Sequence, residues 1–253
     1  MTYFISVFNQ KGGVAKTTTC LSLGGCLVEM GRTVLLVDLD PQANLTASLT
    51  LLPRSLTCTV SDVLEGKATL LNASQRTTVM GLNILPANAS LALLDRALYQ
   101  SEAYEVRLKN AVSELNPALY DYVLIDCPPS LGPLTLNALT VANLMIIPTQ
   151  AEYYALKSLE NVFVLVNLTR RRTNPGLRYR VLVTMYDRRN AISGRMLERM
   201  HDTYDNALFN TVIDIDTKLR EGPLQGKPIT VYSPSTRAAQ QYRALAKEVM
   251  EYE

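Results

Sequence analysis

Residues 3–18 read YFISVFNQKGGVAKTT, and this stretch decides the fold. Six β-rich residues, 3–8, lead into a glycine-containing loop, and a helical pattern begins at Lys16. A glycine loop between a strand and a helix forms a phosphate cradle, because its backbone N–H groups point inward and the helix N-terminus adds positive potential. We therefore expect Lys16 to lie against the β- and γ-phosphates of a nucleotide and the Thr17 hydroxyl to ligate Mg²⁺.

The loop is a variant of the common phosphate-binding pattern. That pattern is GxxxxGK followed by Ser or Thr, and here Gln10 and Ala15 occupy its two outer glycine positions. The sequence fits KGGxxK followed by Ser or Thr, with an additional lysine at its start. The nucleotide-binding residues predicted from this loop are Lys11, Gly12, Gly13, Val14, Ala15, Lys16, Thr17 and Thr18.

Apolar, β-rich runs alternate with helical patterns along the whole chain. The predicted strands cover 3–8, 33–39, 82–87, 122–127, 144–149, 179–185 and 210–213. The predicted helices cover 16–30, 89–99, 102–115, 133–141, 153–171, 190–204 and 235–252. Most of the strands are continuously apolar, which is typical of strands buried on both faces of a parallel sheet. We predict one domain over 1–253, with an α/β fold in which helices flank a doubly wound, mostly parallel sheet.

Composition excludes several classes of protein. Hydrophobic residues make up 47% of the 253 residues and charged residues 19%, so the chain is not disordered. No apolar run reaches the roughly 18 residues that a membrane span needs. The first residues contain no basic segment followed by a cleavage site, so no signal peptide is expected. The four cysteines stand at unrelated spacings with no CxxC pair, which favours a reduced, cytoplasmic chain.

Carboxylates follow two of the predicted strands. Asp38 and Asp40 stand at the tip of strand 33–39, and Asp126 ends strand 122–127. Ligands of open parallel sheets bind at the carboxyl ends of the strands. We therefore expect the three side chains to converge on the triphosphate, where one holds a Mg²⁺-bound water and another orients the attacking water. For any one of them alone, capping of the next helix is the alternative.

Five segments carry a resemblance to a known family. They read NQKGGVAKTT, VLLVDLDPQANLT, YDYVLIDCPPSLGPLTLNAL, IIPTQAEYYALKSL and EGPLQGKPITVYSPSTRAAQQY. Together they resemble the ParA family of partition ATPases, within the ParA/MinD class of P-loop NTPases that carry a deviant Walker A loop. The similarity runs from residue 2 to about residue 250. It implies ATP and Mg²⁺ as cofactors and a single ParA-type ATPase domain.

The resemblance also implies roles for individual residues. Lys11 is the lysine that reaches across an ATP-sandwiched homodimer to the partner's phosphates, and Lys16 is the P-loop lysine. Asp40 supports the attack of water, and segment 127–137 is a switch that repacks with nucleotide state. The implied catalytic residues are Lys11, Lys16, Asp38 and Asp40, and the implied metal-site residues are Thr17, Asp40 and Asp126. Adenine contacts in the family are made near the end of the RVLVTMYD strand and by a later loop, which adds Met185, Tyr186, Asp214 and Asp216.

Two places depart from the family pattern. Ala15 stands where the family usually has glycine, and a Cβ is tolerated there only if φ is negative, so we expect a negative φ. The segment before EGP often contains Pro-Arg-Asn and a further Arg, whereas residues 214–220 read DIDTKLR here. This second departure concerns the adenine contacts and part of the DNA contacts that the resemblance implies.

Positive charge is concentrated in one part of the chain. Residues 170–243 carry 14 basic and 7 acidic side chains, whereas residues 1–169 carry 10 basic and 13 acidic ones. This asymmetry indicates either an anionic partner or a solvated face. Members of the family bind DNA non-specifically as ATP dimers, and phosphate contacts need only scattered basic residues. The predicted DNA contacts are Arg189, Arg195, Lys218, Arg220 and Lys227, and we interpret 170–172 as compensating a helix dipole.

The function implied is that of an ATP-dependent, dimerising partition or positioning ATPase. In its ATP state it binds DNA on the nucleoid, and a ParB-type adaptor stimulates slow hydrolysis. The cargo is a chromosome, a plasmid or another large assembly. Because the sequence starts at the first strand, we expect no additional N-terminal DNA-reading domain.

Two other functions use the same loop. A MinD-like positioning ATPase would bind a membrane, but that requires a basic amphipathic C-terminal helix and residues 244–253 are acidic overall; we therefore expect no membrane contact. A metabolic P-loop ligase, such as a dethiobiotin synthetase-like enzyme, would not explain the basic segment. An iron–sulfur reductase would need paired cluster cysteines.

Overall fold

The computed structural model describes residues 1–49, 56–153 and 155–253. Its strands are β1 (Tyr3–Val7), β2 (Val34–Asp38), β3 (Gln75–Arg76), β4 (Leu82–Leu85), β5 (Tyr122–Asp126), β6 (Leu144–Thr149), β7 (Arg178–Tyr186) and β8 (Leu208–Asp214). They form one sheet in the order β3-β4-β2-β5-β1-β6-β7-β8. All neighbouring pairs are parallel except β3 with β4. The predicted doubly wound, mostly parallel sheet is thereby confirmed, and the two-residue β3 is an addition too short to carry a periodic signal.

Twelve α-helices are found in the described residues. They are α1 (Lys16–Glu29), α2 (Asn44–Ala47), α3 (Val60–Leu64), α4 (Leu70–Ala73), α5 (Leu91–Leu98), α6 (Arg107–Ser113), α7 (Pro133–Val141), α8 (Ala155–Arg172), α9 (Ala191–Tyr204), α10 (Thr217–Gln225), α11 (Ile229–Tyr232) and α12 (Arg237–Glu251). The predicted helix 102–115 is divided, because a 3-10 turn over Tyr104–Val106 precedes α6. The other predicted helices are present within a few residues of their expected ends, and residue 154, in the helix predicted over 153–171, lies outside the described residues. Five further helices were not predicted.

Alternate residues of the central strands point into two separate hydrophobic cores. On β2, Leu35 and Val37 pack with α3, α5, α6, α7, α8 and α9 on one face of the sheet. Val34 and Leu36 pack with α1, α2, α11 and α12 on the other face. Because both faces are covered, the strands are apolar throughout, which is the pattern that the sequence displays.

The amphipathic C-terminal helix α12 contributes its apolar face to the second core. Tyr242, Leu245, Ala246 and Val249 are fully buried there. This face of α12 is therefore a packing surface of the core. No helix in the described residues is both long and apolar enough to cross a bilayer.

The sheet brings the ends of three central strands together. In the register of β1 with β5, Val7 lies beside Asp126, and in the register of β2 with β5, Asp38 lies beside Asp126. The loops after β1, β2 and β5 therefore leave the same edge of the sheet at neighbouring positions. Ligands bind at this edge in doubly wound sheets.

Candidate nucleotide-binding site

The loop after β1 forms a cradle with an open inner side. Gly13 has φ +75°, and a Cβ placed at Gly12 or Gly13 would meet no atom within 4 Å. α1 begins at Lys16, whose ammonium turns back and donates to the Lys11 carbonyl oxygen at 3.2 Å. The helix N-terminus and a lysine ammonium thus face one space, which suits a polyphosphate.

The expectation of a negative φ at Ala15 is wrong. Ala15 caps α1 with φ +65° and ψ 34°, in the left-handed region. The loop must reverse direction between Gly13 and the first turn of α1. This reversal requires a left-handed backbone at residue 15, which glycine adopts without strain. Because Ala15 has a Cβ, this left-handed conformation is strained by about 1–2 kcal/mol.

We predict that Ala15→Gly raises the free energy of unfolding by about 0.5–1 kcal/mol. Glycine relieves the left-handed strain but loses part of that gain to its larger unfolded-state entropy. Thermal unfolding by circular dichroism measures the effect. Ala103, with φ +51° on an exposed turn, is the matched control: Ala103→Gly should stabilise similarly, and a lower melting temperature for Ala15→Gly would contradict the strain.

A metal-site arrangement joins the loop to the end of β5. The Thr17 hydroxyl donates to Asp126 Oδ2 at 2.6 Å. The other carboxylate oxygen, Oδ1, is buried and has no hydrogen-bond partner among the described residues. Burial, with Asp38 nearby, raises the pKa of Asp126 well above its usual range. A hydroxyl and a carboxylate oxygen lacking a partner are hard donors of the kind Mg²⁺ prefers, so the residues present fit this ion.

The two carboxylates after β2 have different surroundings. Asp40 lines the cavity described below, and its Oδ1 accepts from the Gln42 N–H at 2.9 Å. Asp38 is fully buried and accepts from the Thr46 N–H at 2.9 Å and the Thr46 hydroxyl at 2.7 Å. Burial raises the pKa of Asp38 to about 6, with the Thr46 hydrogen bonds opposing the shift. Asp38 therefore fixes α2 next to Asp40 and does not reach the cavity, so its predicted catalytic role has no geometric support.

A cavity of about 720 Å³ extends from the cradle along α1. Its wall includes the loop, the start of α1, the turn after β2, the ends of β7 and β8, and α10 with α11. The lining residues are Gly12, Gly13, Ala15, Lys16, Thr17, Thr18, Leu21, Ser22, Asp40, Gln42, Asn44, Ala47, Ser48, Pro129, Met185, Ile213, Asp214, Ile215, Asp216, Leu219, Arg220, Gly222, Lys227, Ile229 and Tyr232. Drug-sized ligands occupy cavities of this size.

The residues predicted to hold a base divide into two groups. Met185, Asp214 and Asp216 line the cavity. Tyr186 does not; it lines a separate cavity of about 380 Å³. Met185 has φ +53°, so the chain turns there and the next side chain points elsewhere. Asp214 is buried, and its Oδ2 lies 2.7 Å from Arg188 Nε. Asp216 caps α10, because its Oδ1 accepts from the Lys218 N–H at 2.9 Å.

Two further residues of the predicted loop face away from the cavity. Val14 is buried, and its carbonyl oxygen accepts from the Thr184 hydroxyl at 3.1 Å. Lys11 lies outside the cavity lining, with its ammonium 2.6 Å from Glu152 Oε2 and 2.8 Å from Gln150 Oε1. Lys11 thus points away from the phosphates that its own chain would hold.

The predicted DNA contacts do not form one group. Arg189, Arg195 and Lys218 are exposed, and Lys218 pairs with Glu221 at 2.7 Å. Arg220 and Lys227 line the nucleotide cavity instead. Arg220 belongs to α10 and Lys227 to the turn between α10 and α11, and both are exposed at the cavity wall. Their contact with DNA stays a prediction.

Sequence reasoning also missed part of the cavity wall. Leu21 and Ser22 of α1, and Ile229 and Tyr232 of α11, line it without belonging to any recognised motif. Leu21 and Ser22 follow Lys16 by five and six residues, about one and a half turns into α1, so helix periodicity could have identified them. α11 has four residues, and no periodic signal reveals it.

A doubly wound sheet with a glycine loop, a lysine and an acid-bound threonine at its carboxyl edge defines a P-loop nucleotide-binding protein. Comparison with known proteins specifies the family. A family model described as an AAA domain matches residues 2–179. The chain is 42% identical over 246 residues to the sporulation initiation inhibitor protein Soj of Bacillus subtilis, covering 97% of each. It is 37% identical over 251 residues to the chromosome partitioning protein ParA of Caulobacter vibrioides, covering 98% of this chain and 94% of that one. The chain belongs to the ParA/MinD family of P-loop ATPases.

Solved structures of relatives identify the ligands of the cavity. A Mycobacterium smegmatis protein described as cobyrinic acid a,c-diamide synthase, with an ATP analogue and magnesium, aligns with a TM-score of 0.89 and 37% identity, covering 100% of this chain and 95% of that one. The septum site-determining protein MinD of Pyrococcus horikoshii, with Mg-ADP, aligns with a TM-score of 0.80 and 30% identity, covering 98% and 96%. ATP and Mg²⁺ are accordingly the cofactors of this chain.

Proposed function

We propose that this chain is an ATP-dependent partition or positioning ATPase that works as a pair. Two chains sandwich two ATP molecules, the paired form binds DNA without sequence preference, and slow hydrolysis separates the chains. The observation that carries the proposal is the position of Lys11, which lies at the surface next to the cavity but outside it. A lysine so placed is available to a second chain's phosphates, and the partition proteins Soj and ParA are similar to this chain over nearly its full length.

Different residues of the chain bind the phosphates, hold the metal and promote hydrolysis. The loop amides and Lys16 bind the β- and γ-phosphates, and Thr17 with Asp126 would hold Mg²⁺. Bound Mg²⁺ neutralises charge on the phosphate oxygens. Asp40, at the cavity wall, orients the attacking water and accepts its proton. Asp40 also belongs to the predicted metal set, and its cavity position suits contact through a metal-bound water.

Exposed basic residues at the starts of two helices, Arg189, Arg195 and Lys218, supply the DNA surface in this proposal. Arg189 and Arg195 stand at the start of α9, and Lys218 is exposed at the start of α10. Each chain alone neutralises few phosphates, and pairing joins two weak surfaces into one. The cell compartment proposed is the cytoplasm, on the nucleoid, with a ParB-type adaptor stimulating hydrolysis.

We predict that Arg189→Ala, Arg195→Ala and Lys218→Ala each weaken DNA binding in the presence of ATP. Each lost phosphate contact reduces the slope of log K against log salt by about one per chain. Fluorescence anisotropy of two unrelated duplexes across a salt series measures both quantities. Arg171→Ala, an exposed arginine at the end of α8, is the matched control and should bind as the wild type does. Unchanged affinity in all three variants would contradict this DNA surface.

A metabolic ligase is the second candidate, because the M. smegmatis relative carries the name of an amide-forming synthase. A ligase would transfer phosphate to a small carboxylic acid before amide formation. The two functions separate in one assay of ATP hydrolysis. DNA and an adaptor stimulate a partition ATPase, whereas a ligase needs its acid and an amine donor and ignores DNA.

A further inference from the structure

Lys11 is held by two side chains from the turn after β6. Its ammonium lies 2.6 Å from Glu152 Oε2 and 2.8 Å from Gln150 Oε1. The side chains of Lys11 and Glu152 are 45% and 53% exposed. The ammonium therefore has two acceptors on its own chain while it remains open to solvent.

The backbone on both sides of this contact is fixed. Buried Asn9 donates to the Pro148 carbonyl at 2.8 Å and to the Thr149 hydroxyl at 3.3 Å, which ties the phosphate loop to the end of β6. The same side chain accepts from the Lys11 N–H at 3.0 Å. Lys11 is thus presented to Gln150 and Glu152 by a buried hydrogen-bonded bridge, so the contact is part of the fold.

Gln150 also connects Lys11 with the cavity. Its Nε2 donates to Met185 Sδ at 3.3 Å, while its Oε1 accepts from Lys11. Met185 lines the cavity. Gln150 therefore contacts both Lys11 and a residue of the cavity wall.

We infer that Gln150 and Glu152 are positioning residues that hold Lys11 on its own chain until nucleotide-bound chains pair. The inference rests on the proposed function, in which Lys11 crosses to the partner's phosphates. Glu152 takes the place of those phosphates in the single chain. Because an exposed ion pair is weak and a triphosphate carries several charges, a partner's nucleotide displaces Glu152 and the exchange is reversible.

The hold is tested first in the single chain without nucleotide. Amine acetylation followed by peptide mass spectrometry gives the modification rate of each lysine. Glu152→Gln should raise the rate at Lys11 about threefold, since the loss of one exposed ion pair changes an equilibrium only a few-fold, and should leave Lys67 unchanged. Glu65→Gln is the matched control, because Glu65 pairs with Lys67 at 2.8 Å elsewhere on the surface. It should raise the rate at Lys67 alone, and an unchanged rate at Lys11 in Glu152→Gln would overturn the inference.

The consequence for pairing is tested with a non-hydrolysable ATP analogue. Two Lys11–Glu152 ion pairs break when a dimer forms, one in each chain. If each is worth about threefold, Glu152→Gln should lower the dimer dissociation constant by about tenfold in sedimentation equilibrium. Glu65→Gln should leave it unchanged. A weaker or unchanged dimer in Glu152→Gln would overturn the role in pairing. If the wild type does not pair with the analogue at all, the proposed function fails, while the acetylation rates still decide whether Lys11 is held.

Discussion

Lys16→Ala is expected to lower ATP affinity by at least about 100-fold and to abolish ATP-dependent pairing. The side chain is only 8% exposed, and its ammonium lies inside the cradle. Burial lowers the pKa of Lys16, whereas Asp126 and Asp40 oppose the shift. In such a site a charge-assisted contact to phosphate is stronger than on the surface, so its removal leaves the triphosphate with the backbone amides and the Mg²⁺ that Thr17 and Asp126 would hold.

Isothermal titration with ATP and Mg²⁺ measures this affinity. Lys67→Ala, which removes an exposed lysine outside the cavity, is the control and should bind ATP as the wild type does. A melting temperature close to that of the wild type shows that Lys16→Ala is folded. Wild-type ATP affinity in a folded Lys16→Ala protein would contradict the assignment of the cradle.

Asp40→Ala is expected to slow hydrolysis by about 100- to 1000-fold, the range found for single groups that stabilise a transition state, while ATP binding persists. Asp40 lines the cavity but donates nothing to the cradle, so binding rests on the loop and Lys16. The variant should therefore accumulate as an ATP-bound dimer. Phosphate release gives the rate, and the bound nucleotide after gel filtration gives the state.

Asp38→Asn is the comparison that separates the two neighbouring acids. Asp38 is buried and accepts two hydrogen bonds from Thr46. Its replacement should therefore lower the melting temperature and leave the hydrolysis rate per folded chain close to that of the wild type. Normal turnover in Asp40→Ala, or a hydrolysis defect larger in folded Asp38→Asn, would move the catalytic role to Asp38.

The strands and the nucleotide site could be predicted because their signals are local. Continuous apolar runs marked the strands, and the glycine loop before α1 marked the cradle. The family resemblance put Thr17 and Asp126 in one metal site, and the structure brings them into contact because β1 and β5 are neighbours in the sheet. These features depend on the order of elements along the chain and on the general rule that ligands bind at the carboxyl ends of parallel strands.

Side-chain direction could not be predicted in the same way. Whether Tyr186 faces the cavity depends on the left-handed backbone at Met185, for which the sequence carries no glycine. Arg220 on α10 and Lys227 in the turn after it line the cavity because this part of the chain packs beside it. A sequence does not distinguish a basic residue that faces solvent from one that borders a ligand site. The partners of Lys11 lie about 140 positions away in the chain, so only the folded sheet reveals them.

The central claim is that ATP joins two chains, and the solution mass tests it most directly. Light scattering after gel filtration compares the wild type with ADP and with a non-hydrolysable ATP analogue, both with Mg²⁺. We expect the mass of one chain, 28.0 kDa, with ADP and twice that mass with the analogue. Lys11→Ala should bind the analogue and remain a single chain. The same mass for the wild type with both nucleotides, or a Lys11→Ala dimer as stable as that of the wild type, would contradict the claim.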